Sequence, residues 1–175
     1  MRKASRLCWA RASRTRASGL VQRSFSTEKP VIVLHPFQHR TKGFSAAELR
    51  ETATAKLHEA ESLASTLGWR VVGRVAASTR AKKHDVLGPG QVTDLKAAVH
   101  ELGAEAVYID APLSAIRTKY LRTALGCSVV DRRGVILSIF EQNAKSRESK
   151  IQVRLARLQY ERARLVLSSS EFRFD

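Results

Sequence analysis

The chain has 175 residues, of which 43% are hydrophobic, so it can build one packed domain, which argues against global disorder. No apolar run reaches the length that crosses a bilayer, and we therefore predict a soluble protein without a membrane span. The 31 basic and 16 acidic residues give a formal net charge of +15, which favours a polyanionic partner such as a nucleic acid.

The N-terminal segment, residues 1–27, has the composition of a mitochondrial presequence. It holds seven basic residues, no Asp or Glu, and many Ser and Ala residues. A helix here would be amphipathic, and Arg23-Ser24-Phe25 resembles a processing site with arginine two residues before the cut. The alternative is a basic RNA-binding arm that is retained. We favour a presequence and a location in the mitochondrial matrix; its removal leaves 24 basic and 16 acidic residues, a net charge of +8.

Residues 28–131 predict an α/β domain. The apolar run 31–34 is expected to form a buried strand that ends at Pro36. Ser45 and Glu48 then have the spacing of a capping box, in which each satisfies a free backbone N–H of the other at the start of a helix. Apolar residues at intervals of three and four follow, as the buried face of a helix requires.

The strand–helix pattern then repeats. Apolar strand-like runs recur near 71–75, 106–109 and 128–130, and a segment with one apolar helical face precedes each of the last two. The order β-α-β-α-β-α-β predicts an α/β fold with a four-stranded, mostly parallel sheet and flanking helices. The nearly continuous apolar strands fit burial on both faces of such a sheet.

The pattern changes after Asp131, where we predict a projecting helical arm over 132–167 and a loose tail over 168–175. A short helix is followed by a long one, which at about 1.5 Å per residue extends on the order of 25–30 Å. The long helix carries an apolar stripe at Ile151, Leu155, Leu158 and Leu165. A stripe of this length needs a surface to pack against, and nothing C-terminal in the chain supplies a partner helix.

The sequence offers no group of residues with the spacing of a catalytic or metal site. The acidic residues that could be combined on paper are Asp110, Asp131, Glu141 and Glu148, but no spacing supports an acid/base pair, and Asp131 is more simply a helix cap. The histidines are scattered, and Cys127 would be alone once the presequence is removed. We therefore predict no metal ligands and no catalytic residues in this chain.

Four motifs follow one another along the chain: the glycine loop 87–92, Asp131-Arg132, Leu137-x-Ile139-Phe140 and Leu155-Ala156-x-Leu158-x-Tyr160. With these motifs, the stretch from Asp131 to Tyr160 resembles the junction between the N-terminal domain and the helical arm of HflX-type GTPases. The resemblance covers residues 31 to 165. Ser138, Asn143 and Arg154 stand where the family usually has aspartate, arginine and glutamate. Family members are GTPases that bind the large ribosomal subunit and split or rescue ribosomes, and their complete forms use GTP and Mg²⁺.

The resemblance also implies two binding regions. Gly88, Gly90 and Gln91 occupy the family's glycine loop, in an N-terminal domain that has been linked to ATP and RNA binding, although Gln91 replaces the usual lysine. The competing interpretation is a structural strand-to-helix turn. Contact with ribosomal RNA phosphates is expected from the cations of the arm, Lys145, Arg147, Lys150, Arg154, Arg157 and Arg164. The alternative there is a solvated helix face with local pairs to Glu148 and Glu161.

The expected function is that of a mitochondrial ribosome-binding protein of HflX-like type, contacting large-subunit rRNA. The P-loop pattern Gly-x-x-x-x-Gly-Lys-Ser/Thr appears nowhere in the chain, so we predict no GTP hydrolysis and no bound cofactor for these residues. Two alternatives stay open. The chain could be a small ATP-binding protein, or it could be a fragment of a complete HflX-like GTPase or a module that pairs with a separately encoded GTPase half.

Overall fold

The structure, a computed structural model, describes residues 7–10, 28–38, 45–79 and 87–169. These residues form one sheet with helices on both faces. Its strands are β1 (Leu7–Ala10), β2 (Pro30–Gln38), β3 (Arg70–Thr79), β4 (Ala106–Ile109) and β5 (Ser128–Asp131). The helices are α1 (Ala46–Thr66), α2 (Pro89–Leu102), α3 (Ala115–Leu125), α4 (Arg132–Asn143) and α5 (Arg147–Ser169). None of the helices in the described part is long and apolar enough to cross a membrane.

The strands lie in the order β1-β3-β2-β4-β5, and β2 to β5 pair in parallel. The predicted four-stranded parallel sheet is therefore confirmed. Helices α1 and α4 pack on one face around Tyr108, and α2 and α3 pack on the other face around Leu95. Burial on both faces explains why the strands are almost entirely apolar.

The chain changes direction across the sheet at β2. From β2 the chain passes through α1 to β3, which is the neighbour of β2 at one edge. From β3 it returns through α2 to β4, which is the neighbour of β2 at the opposite edge. Ligands of open α/β sheets bind outside the carboxyl ends of the strands at such a point. The carboxyl ends of β2, β4 and β5 are therefore where functional side chains are expected to meet.

Strand β1 is an addition to the predicted sheet. It pairs antiparallel with the outer edge of β3, with Cys8 opposite Ala76 and Trp9 opposite Val75. Residues 7–10 therefore form a strand, and the helix expected of a presequence is wrong at these four positions. The rest of the segment 1–27, including the predicted processing site, lies outside the described residues, so cleavage stays a prediction.

Strand β2 continues through Pro36, so the prediction that Pro36 ends this strand is wrong. Strand β4 pairs with β2 only as far as Leu34, whereas β3 accompanies β2 to its last residue. Beyond Leu34 the strand is paired on one side only, where a residue without an N–H is tolerated. The longer strand brings His35 beside the end of β4.

The predicted start of α1 is confirmed by its capping bonds. Glu48 N donates to Ser45 Oγ at 3.2 Å, and Ser45 N donates to the Glu48 carboxylate at 2.7 Å. The backbone and side-chain hydrogen bonds from Ser45 lower the pKa of Glu48. Local sequence thus determines where this helix begins, independently of what it packs against.

The C-terminal segment is helical as predicted, and α5 runs over 23 residues. It lies against α3 and α4 rather than apart from the domain. Its apolar stripe remains 56–68% exposed at Ile151, Leu155, Leu158 and Leu165. Contacts with the domain are made instead by a polar face that includes Tyr160 and Arg164. The predicted tail, apart from the end of α5, lies outside the described residues.

Candidate functional site

Two buried carboxylates lie at the carboxyl ends of neighbouring strands. Asp110 follows β4 directly, and Asp131 ends β5 in register with Ile109. Their side chains are 1% and 0% exposed, so each charge requires donors close by. Each carboxylate is held by a separate set of groups. Glu141 and Glu148, the other acidic residues considered from the sequence, are exposed on α4 and α5.

Asp110 is contacted by three side chains from three elements. His35 Nδ1 lies 2.9 Å from Oδ2, while Tyr108 Oη and Arg132 Nη1 donate to Oδ1 at 3.1 Å and 2.7 Å. Arg132 also donates to Glu59 Oε1 at 2.5 Å. We call these five residues the Asp110 network, and it connects α1, β2, β4 and α4.

Within the Asp110 network, the charges of Asp110 and Arg132 and the proton of Tyr108 are stabilised by their neighbours. Burial alone would raise the pKa of Asp110, but hydrogen bonds from His35 and Arg132 outweigh burial and lower it. Burial and the Asp110 charge raise the pKa of Tyr108, so its hydroxyl stays protonated. Bonds to Glu59 and Asp110 raise the pKa of Arg132. Fixed charges of this kind suit a structural connection better than proton transfer.

Asp131 connects the sheet to both C-terminal helices. Gly134 N donates to Oδ1 at 3.0 Å, which confirms the predicted cap of α4, and Leu113 N donates to Oδ2 at 3.3 Å. From α5, Tyr160 Oη donates to Oδ1 at 2.5 Å, and Arg164 Nη2 lies 3.0 Å from Oδ2. Asp131 is therefore more than a cap, because it also anchors α5.

The six cations predicted to bind RNA divide into two groups. Four are exposed at the start of α5 or in the link before it: Lys145, Arg147, Lys150 and Arg154. Arg157 and Arg164 are half-buried, with Arg157 Nε 3.1 Å from Glu161 Oε1 and 3.8 Å from Glu141 Oε1. RNA binding stays a prediction, but the six cations do not share one open surface, since these two arginines already have acidic partners.

The glycine loop is a helix start whose polar groups are used internally. Gln91 is 7% exposed; its Oε1 accepts from Gly88 N at 2.9 Å and its Nε2 donates to Ser78 O at 3.1 Å. Gln91 therefore ties the start of α2 to β3. Gly90 is exposed, but Pro89 beside it has no N–H to offer a phosphate. The contacts favour the structural-turn interpretation of Gly88, Gly90 and Gln91, and phosphate binding there stays a prediction.

Replacing Gln91 by Ala tests that structural role. We expect the free energy of unfolding to fall by about 1–2 kcal/mol, because Gly88 N and Ser78 O each lose a partner in a partly buried place. Urea unfolding followed by circular dichroism measures the change. Gln142→Ala, at an exposed position on α4, is the control and should change stability by less than about 0.5 kcal/mol. An equally small effect at Gln91 would contradict the proposed role.

The residues around the two carboxylates were not predicted as groups. His35, Arg132 and Tyr160 come from distant parts of the chain, and their residue types alone do not reveal a partner. One signal was available: Asp110 and Asp131 both end apolar strands, and the carboxyl ends of neighbouring parallel strands meet at one edge. Among the residues that the structure describes, no group of three or more His, Cys, Asp or Glu side chains could hold a metal ion.

Comparison with known proteins agrees with this architecture. The family described as "GTP-binding GTPase N-terminal" matches residues 54–141. The GTPase HflX of Lacrimispora saccharolytica is 40% identical over 117 residues, which cover 66% of this chain and 28% of that protein. The GTPase HflX of Escherichia coli is 37% identical over 111 residues, which cover 63% of this chain and 26% of that protein.

A solved structure shares the fold. The GTP-binding protein from the hyperthermophilic archaeon Sulfolobus solfataricus, in complex with GDP, superposes with a TM-score of 0.54 at 21% identity, covering 81% of this chain and 40% of that one. Fold and family match together define an N-terminal domain of a GTP-binding protein. The chain belongs to the family described as GTP-binding GTPase N-terminal and corresponds to the N-terminal domain of HflX-type proteins. It spans roughly a quarter of the length of the curated relatives described above (28% and 26%).

Proposed function

We propose that this chain is a ribosome-binding N-terminal domain of HflX type that acts in the mitochondrial matrix. In this proposal the exposed cations at the start of α5 contact phosphates of large-subunit rRNA. The observation that supports it best is the separation of the α5 cations into two groups. Arg157 is paired with Glu161 of the same helix and Arg164 with Asp131 of β5, whereas the cations from Lys145 to Arg154 are exposed.

The four exposed cations, Lys145, Arg147, Lys150 and Arg154, have the arrangement that phosphate contact needs. Within this stretch only Glu148 opposes them. Ser146 caps the helix, since Ser149 N donates to its Oγ at 3.1 Å, so the positive end of the helix dipole lies beside them. The second half of α5 is docked on the domain through Tyr160 and Arg164, and the first half belongs to the same continuous helix. Such contacts fix position on RNA without reading its sequence.

GTP hydrolysis lies outside the proposed activity of these 175 residues, because they contain no P-loop pattern. GTP and Mg²⁺ are assigned to the complete family protein.

The proposed contact is tested by a variant in which all four exposed cations are replaced by Ala: Lys145, Arg147, Lys150 and Arg154. We expect affinity for isolated mitochondrial large subunits to fall about 10- to 100-fold, and the slope of log affinity against log salt to become shallower by about 3, since up to four phosphate contacts are lost. Co-sedimentation between about 50 and about 200 mM salt measures both quantities. Absence of the unmodified chain from every ribosomal fraction at low salt would sink the proposal.

A second quadruple variant controls for net charge alone. It replaces four exposed cations of the domain body, Arg50, Arg70, Lys96 and Arg122, by Ala. The charge removed is the same, but the positions lie on α1, β3, α2 and α3. Only a small loss of affinity is expected. Equal losses in the two variants would show that binding follows total charge and not the start of α5.

A further inference from the structure

Asp131 receives groups from three other parts of the fold. Besides ending β5, it contacts the segment before α3 through Leu113 N, the first turn of α4 through Gly134 N, and α5 through Tyr160 and Arg164. We infer that Asp131, Gly134 and Tyr160 form a joint that sets the direction of the α5 axis relative to the sheet. These three residues are called the joint below.

In the joint, the Tyr160 hydroxyl donates a hydrogen bond and the Asp131 carboxylate accepts it. Burial and the hydrogen bond to Asp131 raise the pKa of Tyr160, so its hydroxyl keeps the proton that it donates. The Asp131 side chain is fully buried and the Arg164 side chain is 21% exposed, so water has little access to this ion pair. Movement of α5 away from the sheet would leave a buried carboxylate without two of its partners, and such a state is disfavoured.

The absence of a side chain at Gly134 allows the Tyr160 hydroxyl to approach the backbone of α4 closely. A Cβ added at Gly134 would lie 2.8 Å from Tyr160 Oη and 3.0 Å from Val130 Cγ1. Glycine is otherwise a poor choice inside a helix, since alanine would favour the helical conformation. The space that glycine leaves in α4 is the space that the Tyr160 hydroxyl occupies.

Arg164, one turn farther along α5 than Tyr160, makes further contacts between α5 and the domain. Its guanidinium lies 4.2 Å from the centre of the Tyr160 ring, and Nη1 donates to Thr118 Oγ1 on α3 at 3.1 Å. Residues four apart lie on the same face of a helix, so Tyr160 and Arg164 together define both the position and the rotation of α5. The apolar stripe consequently points away from the domain.

The direction of α5 is a property of the chain itself and does not depend on the ribosome contact proposed above. If that contact is correct, the joint also fixes where Lys150 and Arg154 are presented. The two claims can therefore fail separately. A change in the direction of α5 without any ribosome binding would sink only the proposed function, and ribosome binding with an unchanged direction in joint variants would sink only the joint.

Distances between spin labels on α1 and α5 test the joint in the full chain. Labels are placed at Ala55→Cys and Gln152→Cys, both exposed, after Cys8→Ser and Cys127→Ala remove the native thiols. We expect one narrow distance distribution for the otherwise unmodified chain. Tyr160→Phe should add a second population, because the hydroxyl that binds Asp131 is gone. Tyr120→Phe removes a hydroxyl from an exposed ring on α3 and should leave the distribution unchanged.

Gly134→Ala provides the matching half of the test. Alone, it should displace α5, since its Cβ and the Tyr160 hydroxyl cannot occupy the same space. In the Tyr160→Phe background the further displacement of α5 should be smaller, since the contact with the hydroxyl is gone and only that with Val130 Cγ1 on β5 remains below 3.3 Å. A distribution for Tyr160→Phe identical to that of the unmodified chain overturns the joint. So does loss of hydrogen-exchange protection throughout β4 in that variant, because the hydroxyl would then support the whole domain and not the direction of α5.

Discussion

Asp131→Asn is expected to lower the free energy of unfolding by about 3–5 kcal/mol, the largest effect of any single substitution considered, because breaking a buried ion pair leaves an uncompensated charge. The amide would present N–H groups to a site already filled with donors, from Leu113, Gly134 and Tyr160. Arg164 would keep Thr118 but lose its carboxylate. For a chain of this size the melting temperature should fall by about 10 °C.

Thermal and urea unfolding, both followed by circular dichroism, measure this effect. Asp94→Asn on α2 makes the same chemical change at a half-buried position, and we expect it to alter stability by less than about 0.5 kcal/mol. A loss of similar size at both positions would contradict the special role of Asp131. Loss of α5 alone, with the sheet intact, would give a smaller change in helical signal and would still implicate the joint.

The parts of the fold that were predictable are those determined by nearby residues. The start of α1 depends on Ser45 and Glu48, three positions apart, and the cap of α4 on Asp131 and Gly134. The parallel sheet follows from the regular alternation of apolar runs with helical segments. Neither feature requires knowledge of a partner elsewhere in the chain.

The contacts that were not predicted connect residues far apart in sequence. His35 and Asp110 are 75 positions apart, and Asp131 and Tyr160 are 29 apart. A hydrogen bond of this kind leaves no periodic trace in a single sequence, because only one residue at each end takes part. The addition of β1 to the sheet has the same cause: four residues from a basic segment pair with β3 through backbone groups.

The orientation of α5 reverses the usual expectation for an amphipathic helix. Apolar periodicity predicts that the leucine stripe is buried. In the structure Leu155 and Leu158 are each 56% exposed, whereas Tyr160 and Arg164 lie against the domain. The polar face of α5 lies against the domain because the buried carboxylate of Asp131 requires hydrogen-bond donors, which Tyr160 and Arg164 supply. A charged residue on a helix can therefore mark its docked face when a buried acid lies opposite.

Arg132→Met is expected to destabilise the protein by about 2–3 kcal/mol at neutral pH, less than a fully buried ion pair because Arg132 is 32% exposed. The substitution keeps an extended side chain but leaves Asp110 with His35 and Tyr108 as its side-chain partners in the Asp110 network. The pKa of Asp110 is lowered in the folded protein, so its interactions stabilise the fold fully above the ordinary carboxylate pKa and are lost as pH falls from there through the lowered folded-state pKa. The gap in stability between the two proteins should therefore narrow below about pH 4.

Urea unfolding at a series of pH values tests this dependence. In the variant, burial should dominate and move the pKa of Asp110 upward, so acid should reduce its stability less than that of the unmodified chain. Arg50→Met, at an exposed position on α1, is the control and should follow the unmodified curve throughout. A gap that stays constant from neutral to acidic pH would mean that Arg132 acts through packing of its aliphatic part, because its charge interactions with Asp110 and Glu59 disappear when these carboxylates are protonated, whereas packing does not.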